Sequence, residues 1–146
     1  MRIDNILPVI ATRLATISRD AQFVDAARLF GAGAYRMLVV CGPAGEAVGI
    51  VTRTDAMRHV GRHPDPLTAT VAEVMIPSFT CARLSDDLLA TWHVMAAARL
   101  NHVPVLSEAG KPLGTLTADD ALKALLDAED YEERLLRDYI AGLGYR

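Results

Sequence analysis

Two short stretches hold residue types that could handle a ligand. Thr52 and Asp55 stand three apart behind Gly49, and Thr117 and Asp120 repeat that spacing behind Gly114. In each, glycine and threonine close an apolar run of strand length, and the aspartate opens what reads as a helix. A helix start leaves N–H groups without partners and carries about half a positive charge. Phosphate oxygens satisfy both. A threonine hydroxyl at the cap adds a neutral donor. An aspartate one turn in repels phosphate, but it can accept from both hydroxyls of a ribose diol. The glycine lets a ligand or another backbone come close. Together these groups match a nucleoside phosphate. The same spacing also makes a capping box, in which threonine and aspartate satisfy each other's backbone donors. Such a cap, worth about 1 kcal/mol, explains either stretch without a ligand.

The two stretches belong to a longer repeat. The differences 114−49, 117−52 and 120−55 all equal 65. At that offset residues 40–56 share seven identities with 105–121, counted at Val40, Ala44, Gly45, Gly49, Thr52, Asp55 and Ala56. Average composition gives about one. A self-match at fixed offset is one supersecondary unit built twice, each copy too small to close its own core. Two copies sharing the same strand–turn–strand favour a ligand cleft over caps alone.

The elements that position these residues follow the same order in both copies. In the first, Ala15–Ser18 is a strand, and Phe23, Ala26, Ala27 and Phe30 fall on one helical face that Gly31 and Gly33 end. Met37–Cys41 is an apolar strand buried on both faces. Gly42-Pro-Ala-Gly45 turns it into a returning strand, Ala47–Val51, and a short helix follows over 54–60. The prolines of Gly61-Arg-His-Pro-Asp-Pro66 exclude a helix there. In the second copy, Phe79–Cys81 is the strand, 86–99 the helix, and His102–Leu106 with Pro112–Leu116 the hairpin. Pro104 stands where the first copy has Val39, so that position donates nothing to a ladder. The boundaries are 1–62 for the first repeat, 63–70 for the linker, 71–128 for the second repeat and 129–146 for a helical extension. The last helix is expected over 118–142, roughly 36 Å long. Leu135, Leu136, Tyr139, Ile140 and Leu143 form an apolar stripe on its far half. A helix that overhangs its domain in this way is expected to meet a second copy.

The strand–helix–strand–strand–helix order, twice, with Gly-h-x-Thr-x-x-Asp at the last junction, resembles a tandem pair of cystathionine-β-synthase (CBS) domains, a Bateman module. His102-Val-Pro-Val and Val71-Ala-Glu-Val-Met75 support the likeness, which covers nearly the whole chain. It implies an α/β (α+β) fold of two β-α-β-β-α repeats about a pseudo-twofold axis. It also implies two clefts for AMP, ADP, ATP or S-adenosylmethionine. Thr52 and Thr117 would meet phosphate, and Asp55 and Asp120 the ribose. Thr16 and Ile17, or Thr80 and Cys81, would line the base pocket. So would Met37 and Leu38, or His102 and Val103 with Pro104 beside them. A flat homodimer and an unidentified protein partner are implied as well.

One departure bears on the ligand. The family often has arginine just before the motif aspartate, where this chain has Thr54 and Asp119. The first copy keeps Arg53 beside its threonine, with Arg58 and Arg62 near. The second offers Ala118-Asp119-Asp120, two carboxylates where phosphate would lie. A like charge at 4–6 Å disfavours an anion by about 1 kcal/mol or more. The Thr52/Asp55 site is therefore expected to take the nucleoside phosphate, and the Thr117/Asp120 site to be weak, to stay empty or to take a less charged ligand.

Bulk properties narrow the classes. The 146 residues suffice for one compact domain. A net charge of −3 argues against a nucleic-acid surface. No apolar run approaches the roughly 20 residues of a membrane span. Cys41 and Cys81 make no disulfide scaffold, which fits a reducing cytoplasm. His59 and His63 are four apart, but Gly61 and Pro64 argue against a shared face, so no metal is expected. With no nucleophile paired to a base, the chain reads as a binding module without catalysis. A ligand-free interaction module is the competing reading.

Overall fold

The computed structural model describes residues 1–144, with side chains to Gly142; Leu143 of the stripe lies outside the described side chains. Each repeat forms its own three-stranded sheet. In the first, β1 (Thr16–Ser18) runs parallel to β2 (Met37–Cys41), which pairs antiparallel with β3 (Ala47–Thr52). In the second, β4 (Ala82–Arg83), β5 (His102–Leu106) and β6 (Pro112–Thr117) repeat that order. The helices are α1 (Leu7–Thr12), α2 (Phe23–Gly31), α3 (Arg53–Arg62), α4 (Val71–Val74), α5 (Leu88–Ala97) and α6 (Ala118–Gly144). Gly45 and Gly110 turn the two hairpins with φ of 81° and 78°, the left-handed region that glycine enters without strain.

Each repeat has its own aliphatic core, and each core is completed by the other repeat's lead-in segment. Ile3 and Ile10, which precede the first sheet, are fully buried among Leu88, Val103 and Leu116 of the second. Val71, which precedes the second sheet, is buried among Phe23, Leu38 and Val51 of the first. Each such side chain contributes about 1.5–3 kcal/mol by leaving water. The motif glycines make this exchange possible. A Cβ on Gly114 would stand 2.8–2.9 Å from Ile10, backbone included, and one on Gly49 2.6 Å from Met75 Sδ and 3.0 Å from Ile76 O. Ile10 and Met75 are themselves 65 apart, so the exchange is reciprocal. The close neighbour of both glycines is thus another segment of the chain.

Strand β2 is buried on both faces, as its composition predicts. Leu38 and Val40 enter the first core, while Met37 and Val39 project to the opposite side. Trp92 packs half-buried against the second core.

Several boundaries differ from the sequence reading. The first strand of the second repeat is Ala82–Arg83, not Phe79–Cys81. In the first repeat Val39 N–H donates to Ala15 O at 2.9 Å. Pro104 has no N–H to give the matching residue, so the parallel ladder starts later and is shorter. Helix α3 runs through Gly61 to Arg62, and His63 ahead of Pro64 is extended. Its ring folds back to 4.3 Å from that of His59, so the two imidazoles do meet. Even so, among the described residues no group of three potential ligands surrounds a metal position. Helix α6 packs its near half on α5 through Ala121, Ala124 and Leu125, and every side chain described from Glu129 on is exposed. No helix among the described residues is long and apolar enough to cross a membrane.

Candidate functional site

The two strand-to-helix corners are alike in backbone. Thr52 and Thr117 end β3 and β6, and the next helices open on Arg53 and Ala118. Both helix starts are tied to the residue that precedes the other hairpin strand: Arg53 N–H donates to Arg36 O at 3.0 Å and Ala118 N–H to Asn101 O at 2.9 Å.

Their side chains differ. At the first corner the capping box is closed. Asp55 N–H donates to Thr52 Oγ1 at 3.2 Å, while Asp55 Oδ2 accepts from Thr52 N–H at 3.0 Å and from the Thr52 hydroxyl at 2.7 Å. Arg58 stands 3.5 Å from the other carboxylate oxygen. Arg53 donates its Nε–H to Tyr35 O at 3.0 Å, so its guanidinium props the chain entering β2.

At the second corner Thr117 caps in the same way, with Asp120 N–H donating to Thr117 Oγ1 at 3.0 Å. The Asp120 carboxylate instead meets Arg13, whose Nε donates at 3.0 Å and Nη2 at 3.2 Å. Arg13 follows α1, the helix seated on Gly114, so the exchange of lead-in segments delivers it. Burial works to raise the Asp120 pKa, but hydrogen bonds from Arg13 and Thr117 and the Arg13 charge hold it below the ordinary carboxylate range. The same pair raises the pKa of Arg13.

A cleft of about 490 Å³ opens at this second corner, within the roughly 300–1,000 Å³ of small-molecule sites. Its wall combines both repeats: Arg36 and Met37 from the entry to β2, their counterparts Asn101 and His102, and Thr115, Thr117 and Asp120 from β6 and α6. Arg13 and Arg36 set two positive charges against Asp119 and Asp120. His102 is held neutral further down in pH than usual, first by burial and then by Arg36, with the two carboxylates opposing.

Of the residues singled out from the sequence, Met37, His102, Thr117 and Asp120 meet in this cleft. Thr52, Arg53 and Asp55 form the first corner and line none of the three principal hollows of the described residues. Thr80, Cys81 and Val103 surround a separate hollow of about 120 Å³. Ile17 and Leu38 belong to the first core, Thr16 is exposed on β1, and Pro104 is buried in β5. The shorter β4 also corrects the pairing of the copies: at offset 65, Thr16 and Ile17 match Cys81 and Ala82. Cys41 sits half-buried at the end of β2, where burial and the charge of Glu46 push its thiol up and keep it protonated.

Sequence reasoning missed Arg13, Arg36, Asn101 and Thr115. Arg36 and Asn101 carried a signal, since they precede by one residue the strand entries already singled out. Arg13 carried none, being 107 residues from the aspartate it meets.

Beside the cleft lies a groove of about 890 Å³ between the N-terminal segment and α6, lined by Ile6, Val9, Tyr131 and Leu135 among others. Arg13 and Asp120 line both hollows.

No curated protein sequence matches the chain. Solved structures do. The CBS domain pair of protein MJ0100, in complex with 5′-methylthioadenosine and S-adenosyl-L-methionine, superposes with a TM-score of 0.73 at 17% identity, over 88% of this chain and 98% of that one. CBSX2 in complex with AMP gives 0.75 at 21%, over 88% and 98%. The CBS-domain containing protein ATU1752 from Agrobacterium tumefaciens gives 0.73 at 23%, over 84% and 92%. At these identities the likeness establishes the fold. The CBS domain model matches residues 6–62 and again 71–127, so the chain belongs to the CBS-domain family and carries that domain twice.

Proposed function

We propose that the chain is a non-catalytic regulatory module that takes an adenine nucleotide, of AMP, ADP or ATP type, in the cleft at Thr117 and Asp120. S-adenosylmethionine is the other candidate. Two similar domain pairs were solved with AMP and with S-adenosylmethionine and methylthioadenosine, which supports an adenosine-bearing guest. The observation that carries the reading is the cleft itself: a threonine, an aspartate and two arginines facing one hollow of suitable size. Asp120 keeps lone pairs beyond the two Arg13 uses, so it can still accept from a ribose hydroxyl. Arg13 and Arg36 offset the carboxylates that made this corner look hostile to phosphate. On this reading the second corner is preferred, the reverse of the order expected from neighbouring residues in the sequence.

A second reading has its own support. The closed Thr52–Asp55 box needs no ligand, so the first corner serves as a cap alone, as both corners would in a purely structural interaction module. Calorimetric titration with AMP decides between them. One site per chain fits the proposal, two equal sites contradict the asymmetry, and no heat with any of the named ligands at millimolar concentration supports the interaction module.

Occupancy becomes a signal only if the ligand prefers one arrangement of the module over another. The surface available to a partner is the far half of α6, where Leu135, Leu136, Tyr139 and Ile140 are 51–66% exposed. A second copy covering that stripe makes the homodimer of this proposal. Removing residues 129–146 should then halve the particle mass in light scattering, and an unchanged dimer would place the seam elsewhere.

A further inference from the structure

Thr115 Oγ1 is the one buried side-chain polar atom among the described residues that has no hydrogen-bond partner. The residue is 2% exposed and lies on β6, one position before Leu116 of the second core. Successive strand residues face opposite sides, so Thr115 shares the side of Thr117 and lines the cleft. Its cross-strand partner is Pro104, whose ring brings no donor. The matching position of the first copy is Ile50, at 115−65. An apolar side chain therefore serves the same place in the fold. A buried hydroxyl with no partner destabilises the protein that carries it, so packing alone gives no reason for threonine here.

We infer that Thr115 orients the ligand, its hydroxyl bonding a heteroatom on the ring end of the bound nucleoside phosphate. The inference rests on the reading that the cleft holds such a molecule. Two residues along a strand span about 6.6 Å, so Thr115 lies that far along β6 from Thr117, toward the ring end of a molecule whose anionic end meets Thr117. Rotation about χ1 among its staggered wells turns the hydroxyl toward a guest. The hydroxyl thus distinguishes the second repeat as the one built to read a base.

The test is Thr115→Val, which keeps the shape and removes the hydroxyl, with Thr115→Ser as the conservative partner. Melting of the ligand-free protein and AMP titration are measured on all three. Loss of one neutral hydrogen bond predicts AMP affinity lower by roughly fivefold to tenfold in the valine variant. Its ligand-free melting temperature should be equal to or above that of the parent, and serine should bind within about twofold of threonine. A valine variant that binds AMP like the parent overturns the inference, whatever its stability. One that melts lower without ligand shows a structural hydroxyl and overturns it too. If the parent itself binds no adenine nucleotide, the reading of the cleft fails, and the assignment of Thr115 fails with it.

Discussion

At the Thr52 corner the aspartate turns back onto its own threonine, and at the Thr117 corner it reaches out to an arginine from the far end of the chain. The strands, the turn glycines and the cap spacing are the same. What differs is the segment that crosses from the other repeat. Position 13 is arginine, and its counterpart at 78 is serine. A duplicated corner therefore acquires its chemistry from the segment laid across it, and the motif alone does not say whether it caps a helix or holds a guest.

The largest effect separating the corners should appear in the AMP titration. Asp120→Ala removes the proposed ribose acceptor and releases Arg13, and should weaken binding by tenfold or more, the scale of about 1.5–3 kcal/mol for a bond to a charged group. Asp55→Ala should leave the affinity within about twofold while losing about 1 kcal/mol of stability with its cap. Equal losses of affinity would erase the distinction between the corners.

A smaller effect concerns packing under the two glycines. Gly114→Ala drives a methyl group into Ile10 backbone atoms, which cannot step aside. Its expected cost is about 1–3 kcal/mol in urea unfolding. Gly49→Ala meets chiefly the Met75 sulfur, the end of a flexible side chain, and should cost less. The reverse order would mean that the N-terminal segment is the looser of the two exchanged pieces.

The smallest effect is in pH. Asp120 has a folded pKa below its unfolded value of about 3.9, so its contribution is complete above that pH and is lost as pH falls through the folded value. His102 also titrates lower when folded. Below about pH 6.5 the unfolded chain holds more protons there, and stability declines as pH falls toward the folded value. Replacing His102 by Gln should flatten the ligand-free stability curve just below pH 6.5, and Asp120→Asn should flatten it below about pH 4. Melting curves that keep their slope in those windows would remove both groups from the account.

The fold was legible because its signals are local and occur twice. Met37–Cys41 and His102–Leu106 are strands by apolar run and by flanking turns, and both hold to the residue. Pro104 even carried the reason for the shortened β4, although the strand itself was placed too early. The site was less legible. Thr117 and Asp120 stood out by spacing, but charge was judged from neighbours in the chain, where Asp119 is conspicuous and Arg13 is invisible. The exchange that joins them is a tertiary event, and neither glycine told ligand from backbone as its neighbour. Thr115 left a faint trace, a hydroxyl where the other copy has isoleucine.

The crossing of the lead-in segments also governs how the molecule comes apart. Loosening the first repeat strips Val71 of its burial, and loosening the second releases Ile3 and Ile10. Neither half can melt and leave its neighbour whole, so thermal denaturation should be a single cooperative transition. A protease cut in the linker should yield two fragments that remain clasped under native conditions.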